Sequence, residues 1–278
     1  NTARPQEKNY KADSIQSKLY VENLDGEMHE YMIYLPLYDG INWLQIGVDS
    51  TAELTMPRVE NPRKMGKIVI YGTSIQQGGC ASRVGMVPSA MIQREYNLEC
   101  VNLATSGQAR MDFYIAEALA SIEDAICYVI DPVPNCTKDR CDTATYDFIK
   151  ILRTLRPEVP IVMVEGLMYP YTRHSSFHAE YLPQKNEGFR RGYEQHLAEN
   201  PKGLYYMTHD GQVGPEMEGT VDGVHLTDYG FRAYADLLEV KIKEALDDTG
   251  VEYNLTPSYN IVRPMTFWEK LRFLFSGN

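Results

Sequence analysis

The sequence of 278 residues contains no run approaching the ~18 consecutive apolar residues of a membrane span, so membrane contact is not expected. It also lacks an excess of positive charge: 27 Lys and Arg stand against 38 Asp and Glu, a formal net charge of −11. Nucleic-acid binding needs a basic footprint, and this balance argues against it. A neutral or weakly charged substrate suits the acidic balance, which otherwise serves solubility. Cysteine is sparse and unpatterned. Cys80, Cys100, Cys127, Cys136 and Cys141 include no Cys-x-x-Cys pair, which argues against a zinc ribbon. Cys100 and Cys127 lie in apolar, strand-like runs and read as core residues. Cys136 and Cys141 share one loop and could bridge, closing a very short ring. No repeat of roughly 20–50 residues and no low-complexity tract appears. Residues 1–17 are polar and carry no signal-peptide pattern, so the protein is cytosolic or the chain already processed. A periplasmic or extracellular location is the expectation adopted.

What is present divides the chain in three. Within residues 1–60, strand-like runs at 17–22, 28–35 and 43–48 are separated by the turn signals Asp25-Gly26 and Asp39-Gly40, an antiparallel β pattern. This reads as a small β module or extension, joined by a linker at Asn61-Pro62-Arg63-Lys64. From Lys67 the pattern becomes strand, helix, strand, helix. Strands are expected at 67–71, 100–104, 125–131, 160–165 and 203–207, and helices near 86–96, 111–122, 142–155, 185–198 and 227–247. Five strands with interleaved helices predict a parallel, flavodoxin-like α/β/α sheet of order 2-1-3-4-5. The tail 251–278 holds the aromatic and basic stretch Thr266–Phe275, which could dock on the protein, meet another subunit or touch a membrane surface, docking being the commonest fate of such a segment.

The chain is organised around Tyr71-Gly72-Thr73-Ser74-Ile75-Gln76-Gln77-Gly78-Gly79. The β-branched run 67–71 suits a strand buried on both faces, and Ser74 follows its end. In open α/β sheets that carboxyl edge is where ligands bind. Far downstream, Asp222-Gly223-Val224-His225 precedes the last helix. An Asp three residues before a His can set a carboxylate against the imidazole and fix its tautomer as a general base. Two further strand ends carry candidate oxyanion donors. Gly107, in Thr105-Ser106-Gly107-Gln108, can bring its N–H close to a reacting group, or serve as an ordinary turn glycine. Asn135, in Asp131-Pro132-Val133-Pro134-Asn135-Cys136, could offer its side-chain amide, or form an Asx-turn. Asn135-Cys136-Thr137 also has the form of a glycosylation sequon, a use that would exclude the oxyanion role.

Other residues are weaker candidates. His174 and His178 are four apart, but no third ligand accompanies them, and Pro170 and Pro183 predict a loop that could form one wall of a substrate cleft. His209-Asp210 is a rival base pair. The glycine-rich stretch lacks the Gly-Lys-Ser/Thr ending of a phosphate loop.

Serine first, Asp and His late and nearly adjacent, with Gly107 and Asn135 between, resembles the SGNH (GDSL-type) hydrolase family. The resemblance spans about residues 66–247. Its departures are Thr73, where the name-giving pattern has Asp, and Val133 and Cys136, where Gly and Asp usually flank the Asn. The stretch YLPLYDGINWLQIGVDSTAEL resembles the end of the β domain of a bacterial two-domain branch. The resemblance implies a serine esterase without cofactor or metal. In that reading Ser74 is nucleophile, His225 base, Asp222 orienter, and Ser74, Gly107 and Asn135 form the oxyanion hole. It also implies short-chain, acetyl-type esters of a small molecule or glycan as substrates. A catalytically silent carbohydrate-binding protein on the same fold and an O-acyltransferase are the rival readings.

Overall fold

The computed structural model describes residues 19–56 and 66–253. The linker at 61–64 and the aromatic tail stretch at 266–275 lie outside the described residues. Five parallel strands form the sheet: β1 (Lys67–Gly72), β2 (Glu99–Asn102), β3 (Ala125–Asp131), β4 (Ile161–Val164) and β5 (Leu204–Met207). Their order is β2-β1-β3-β4-β5, as the right-handed crossover rule predicts. Among the described residues, six α-helices accompany them: α1 (Ser74–Gln77), α2 (Pro88–Tyr96), α3 (Phe113–Ala120), α4 (Lys138–Leu155), α5 (Ser176–Glu199) and α6 (Asp228–Thr249). No helix among the described residues is long and apolar enough to cross a membrane.

Strand alternation sends residues to two cores. Ile68 and Ile70 of β1 face a cluster with α2 and α6, while Val69 and Tyr71 face one built on α3, α4 and α5. Both faces are covered, which is why these strands read as continuous apolar runs. With both faces covered, the carboxyl edge, where β1 leads into Ser74, is the part of the sheet that carries the candidate residues.

Three expectations need correction. The segment 169–185 is not simply a loop: a 3-10 turn at Pro170–His174 leads into α5, which begins at Ser176 and contains Pro183. The helix survives the proline's missing N–H because Ser175 caps it, accepting from His178 N–H, and because Phe177 and Tyr181 stack one turn apart at 5.2 Å. Cys136 and Cys141 are free thiols rather than a bridge. The pair is hydrogen-bonded and buried, with the Cys136 thiol also donating to Ala109 O at 3.6 Å. The expected β pairing is absent among residues 19–56, where no strand or helix forms. Leu19, Trp43 and Ile46 stay more than half exposed there, so no second layer rewards strand formation.

The loop before α6 is held by backbone approach. Thr220 and Leu226 bridge, Val221 N–H donates to His225 O, and Thr227 N–H donates to Gly219 O at 2.9 Å. Gly230, in the first turn of α6, lies so close that an added Cβ would sit 2.0 Å from Gly219 O. We expect Gly230→Ala to cost about 1–3 kcal/mol in urea unfolding, since backbone rather than a flexible side chain must yield.

Candidate active site

β1 ends at Gly72, where a Cβ would meet Gln76 Cγ at 2.5 Å, so the chain turns from strand into helix only without a side chain there. Thr73 caps the four-residue α1, its hydroxyl accepting from Ile75 N–H at 3.3 Å, and Gly78 ends it at φ +101°. Thr73, where the name-giving motif has Asp, thus still supplies a capping oxygen. Ser74 stands at the first helical position with only 9% of its surface exposed.

Ser74 Oγ lies 3.0 Å from His225 Nε2, and His225 Nδ1 lies 2.7 Å from Asp222 Oδ2. The other carboxylate oxygen, Asp222 Oδ1, accepts from Val224 N–H at 2.9 Å and His225 N–H at 2.7 Å. Partial burial acts to raise the Asp222 pKa, but the His225 ring and these two N–H donors outweigh it, holding the carboxyl at about 2. Asp222 is thus an anion at working pH, and its bond at Nδ1 directs Nε2 to accept from serine. The sequence-predicted Ser74, Asp222 and His225 are brought together.

Gly107 adopts φ +73° and faces open space, its N–H donating to no group among the described residues. Asn135 ends a 3-10 turn after β3, and its Oδ1 accepts from Ala109 N–H at 3.3 Å. That bond ties the Gly107 loop to the Asn135 loop and leaves the Asn135 amide N–H groups without a partner among the described residues. His209 goes elsewhere: its Nδ1 lies 2.7 Å from Glu165 Oε2, which also accepts its backbone N–H. His178 is engaged otherwise: its Nδ1 meets Ser175 Oγ at 2.8 Å and its ring packs edge-on against Tyr171. Tyr171 in turn borders Gly223, whose Cβ would lie 3.2 Å from its ring, so this segment does flank the Asp222 loop.

Several residues escaped sequence reasoning. Tyr234 of α6 donates to the wholly buried Asp131 at 2.7 Å and accepts from Gln76 Nε2 at 2.7 Å. Burial pushes the Asp131 carboxyl up to about 7 despite those bonds. The acidic Glu165 after β4 gathers Arg190, Tyr206 and His209. From the N-terminal segment, Tyr34 accepts from Arg94, and Leu37 O accepts from Gln77 Nε2 at 3.0 Å. Tyr38 follows, its hydroxyl beside Gly79: a Cβ on Gly79 would lie 3.1 Å from that hydroxyl and 3.0 Å from the His225 ring.

A strand-to-helix serine on a five-stranded parallel sheet, in line with a histidine and an aspartate, defines an α/β protein with a serine hydrolase constellation. By its match to the family model over residues 65–243, the chain belongs to the GDSL-like Lipase/Acylhydrolase family. Residues 3–54 match the model described as the N-terminus of SGNH-hydrolase-type esterases. No curated protein matches the chain in sequence. Among solved structures, a GDSL-like lipase of Bacteroides ovatus is 34% identical with TM-score 0.63, covering 70% of this chain and 56% of that one. The chain thus spans just over half the length of that relative. The salicylyl-acyltransferase SsfX3 of a tetracycline biosynthetic pathway (17% identical, TM-score 0.57, 73% and 60% covered) shares the fold. So does a family two carbohydrate esterase of Clostridium thermocellum, solved with cellohexaose (17%, TM-score 0.52, 70% and 67%).

The Glu165 cluster sets an acid limit. Burial opposes its charge, yet His209, Arg190 and Tyr206 hold its carboxyl down at about 2, against 4.5 for the free group. A depressed carboxylate stabilises the fold above the unfolded value and loses that stabilisation as pH falls from 4.5 toward 2. The fully buried Glu165 should therefore lose roughly 2–3 kcal/mol between pH 7 and pH 3. Urea midpoints at the two pH values should show the drop, and Glu165→Gln should be less stable at pH 7 with a smaller drop.

Proposed function

We propose that the protein is a serine esterase that hydrolyses short-chain, acetyl-type esters on carbohydrate. The observation that carries the reading is the continuous chain from Ser74 Oγ through His225 to Asp222, with separations of 3.0 Å and 2.7 Å. Ser74 attacks the ester carbonyl while His225 Nε2 takes its proton. Asp222 stabilises the imidazolium that results, remaining ionised throughout. The tetrahedral oxyanion is received by Ser74 N–H, Gly107 N–H and the Asn135 amide. Collapse expels the alcohol, which takes the proton from His225, and leaves an acyl-enzyme. Water, deprotonated by His225, then releases the acid.

The sugar component rests on the rim. Tyr38 stands beside Gly79 and Tyr171 beside Gly223, with His178 and the 64%-exposed Phe177 next to Tyr171, an aromatic surface that suits the apolar faces of sugar rings. The carbohydrate esterase among the structural neighbours supports the same direction as analogy of fold. Short acyl groups and a periplasmic or extracellular site of action belong to the same reading.

p-Nitrophenyl acetate should be turned over by the wild type and not by Ser74→Ala, and an acetylated-glycan panel with varied acyl length should show preference for acetyl. Turnover that depends on an added alcohol acceptor would instead mark an acyltransferase. Asn135→Ala should lower kcat by ~10²–10³ with KM nearly unchanged, because its amide meets charge that develops only in the transition state. Full kcat in that variant would remove Asn135 from the oxyanion hole.

A further inference from the structure

Cys80 lies directly after the Gly78-Gly79 turn that ends α1. It is exposed, and it holds φ +70°, a left-handed conformation rare for a residue with a side chain. Two residues on, Ser82 is fixed from α6: Asp228 accepts from Ser82 N–H at 3.0 Å and from its hydroxyl. The loop is thereby pinned against the Asp222–His225 turn. Among the described residues, Cys80, Asp222 and His225 each offer a ligand atom, and the three atoms lie within 4.8 Å of one another.

We propose that Cys80, Asp222 and His225 form an inhibitory site for Zn²⁺, which switches off the serine nucleophile by binding its general base. The proposal rests on the esterase reading above for its consequence, though not for the site itself. A thiolate, an imidazole and a carboxylate are a donor set for zinc, whereas calcium and magnesium prefer oxygen alone. Tetrahedral coordination brings such donors to about 3.5 Å apart. The exposed Cys80 side chain can make that approach, and the Asp222–His225 pair opens slightly from 2.7 Å to admit the ion. One coordination position remains for water.

The proton inventory explains inhibition. Zinc takes the Cys80 sulfur as thiolate, releasing one proton to solvent, and no electron moves. It occupies His225 Nδ1 in place of the hydrogen shared with Asp222, and that ring hydrogen moves to Nε2. A ring metallated at Nδ1 and protonated at Nε2 donates toward Ser74 Oγ and no longer accepts its proton. Asp222, now a metal ligand, stops orienting the base. Catalysis stops although every side chain of the site is intact.

Two arms test this on the full chain. Co²⁺ titration of Ser74→Ala reads the site without reference to turnover: one ion per chain with a thiolate-to-cobalt charge-transfer band is expected, and the band should be lost in the Ser74→Ala/Cys80→Ala double variant. Binding without that band, or no binding, overturns the site. In the wild type, Zn²⁺ should inhibit p-nitrophenyl acetate hydrolysis and EDTA should restore it. Cys80→Ala should keep its basal rate and need at least ~10–100 times more Zn²⁺ for half inhibition, since loss of even an outer-shell partner of a metal costs that much. Equal sensitivity of Cys80→Ala and wild type would overturn the proposal. If no ester is turned over at all, the esterase reading fails, while the cobalt arm still decides the site.

Discussion

The hydroxyl of Tyr234 is the point on which the site's geometry depends. It donates to Asp131 at the end of β3 and accepts from Gln76 in α1, both at 2.7 Å and both away from water. Those two contacts and its own helix α6 join the elements that carry the chemistry. α1 begins with Ser74, the loop after β3 holds Asn135, and α6 follows directly on His225. A buried hydroxyl satisfied on both sides is costly to move, because any displacement leaves a donor or acceptor stranded in a medium of low dielectric. The positions of serine, histidine and asparagine are thus set from beneath, by groups that meet no substrate.

A second buried carboxylate does comparable work at the other end of the loop. Glu165 receives Arg190 from α5, Tyr206 from β5 and the ring and backbone of His209. Gln212 adds a bond to Glu165 O and another to Thr208 O, both at 3.1 Å. The chain from β5 to α6 is long and has no regular secondary structure, yet it starts from a fixed knot and ends at the Gly219–Gly230 contact. Asp222 and His225 lie between two anchored points, so the 2.7 Å bond between them forms without a helix or strand to carry it.

The sheet and its order were legible because a parallel sheet covered on both faces leaves a continuous apolar record, as in Ile68, Val69 and Ile70. Asp222, His225 and Ser74 were legible because tight spacing and position at strand ends are local properties. Asp131, Glu165 and Tyr234 were not, because a buried polar residue is defined by partners that lie far away in sequence. Pro183 misled for the opposite reason: its local rule against helix is sound, and capping by Ser175 with stacking of Phe177 on Tyr181 overrode it. Along residues 19–56, alternating apolar residues suggested strands, but alternation predicts a strand only where some surface waits to cover one face. His209 looked like a rival base until Glu165, invisible as its partner in the sequence, claimed its ring.

Gln77 spans two otherwise separate parts of the chain, its amide donating to Leu37 O at 3.0 Å and its carbonyl accepting Ser106 N–H at 2.8 Å. One side chain thus holds the N-terminal segment on one side and the Gly107 loop on the other. Ser74, Asp222 and His225 all lie within residues 65–243, while Tyr38, whose hydroxyl stands with the His225 ring beside Gly79, comes from outside that stretch. The serine constellation and the aromatic group that borders it are consequently carried on different pieces of sequence. The segment around Tyr38 can therefore change in sequence, and with it the surface beside the His225 ring, while Ser74, His225 and Asp222 keep their own contacts.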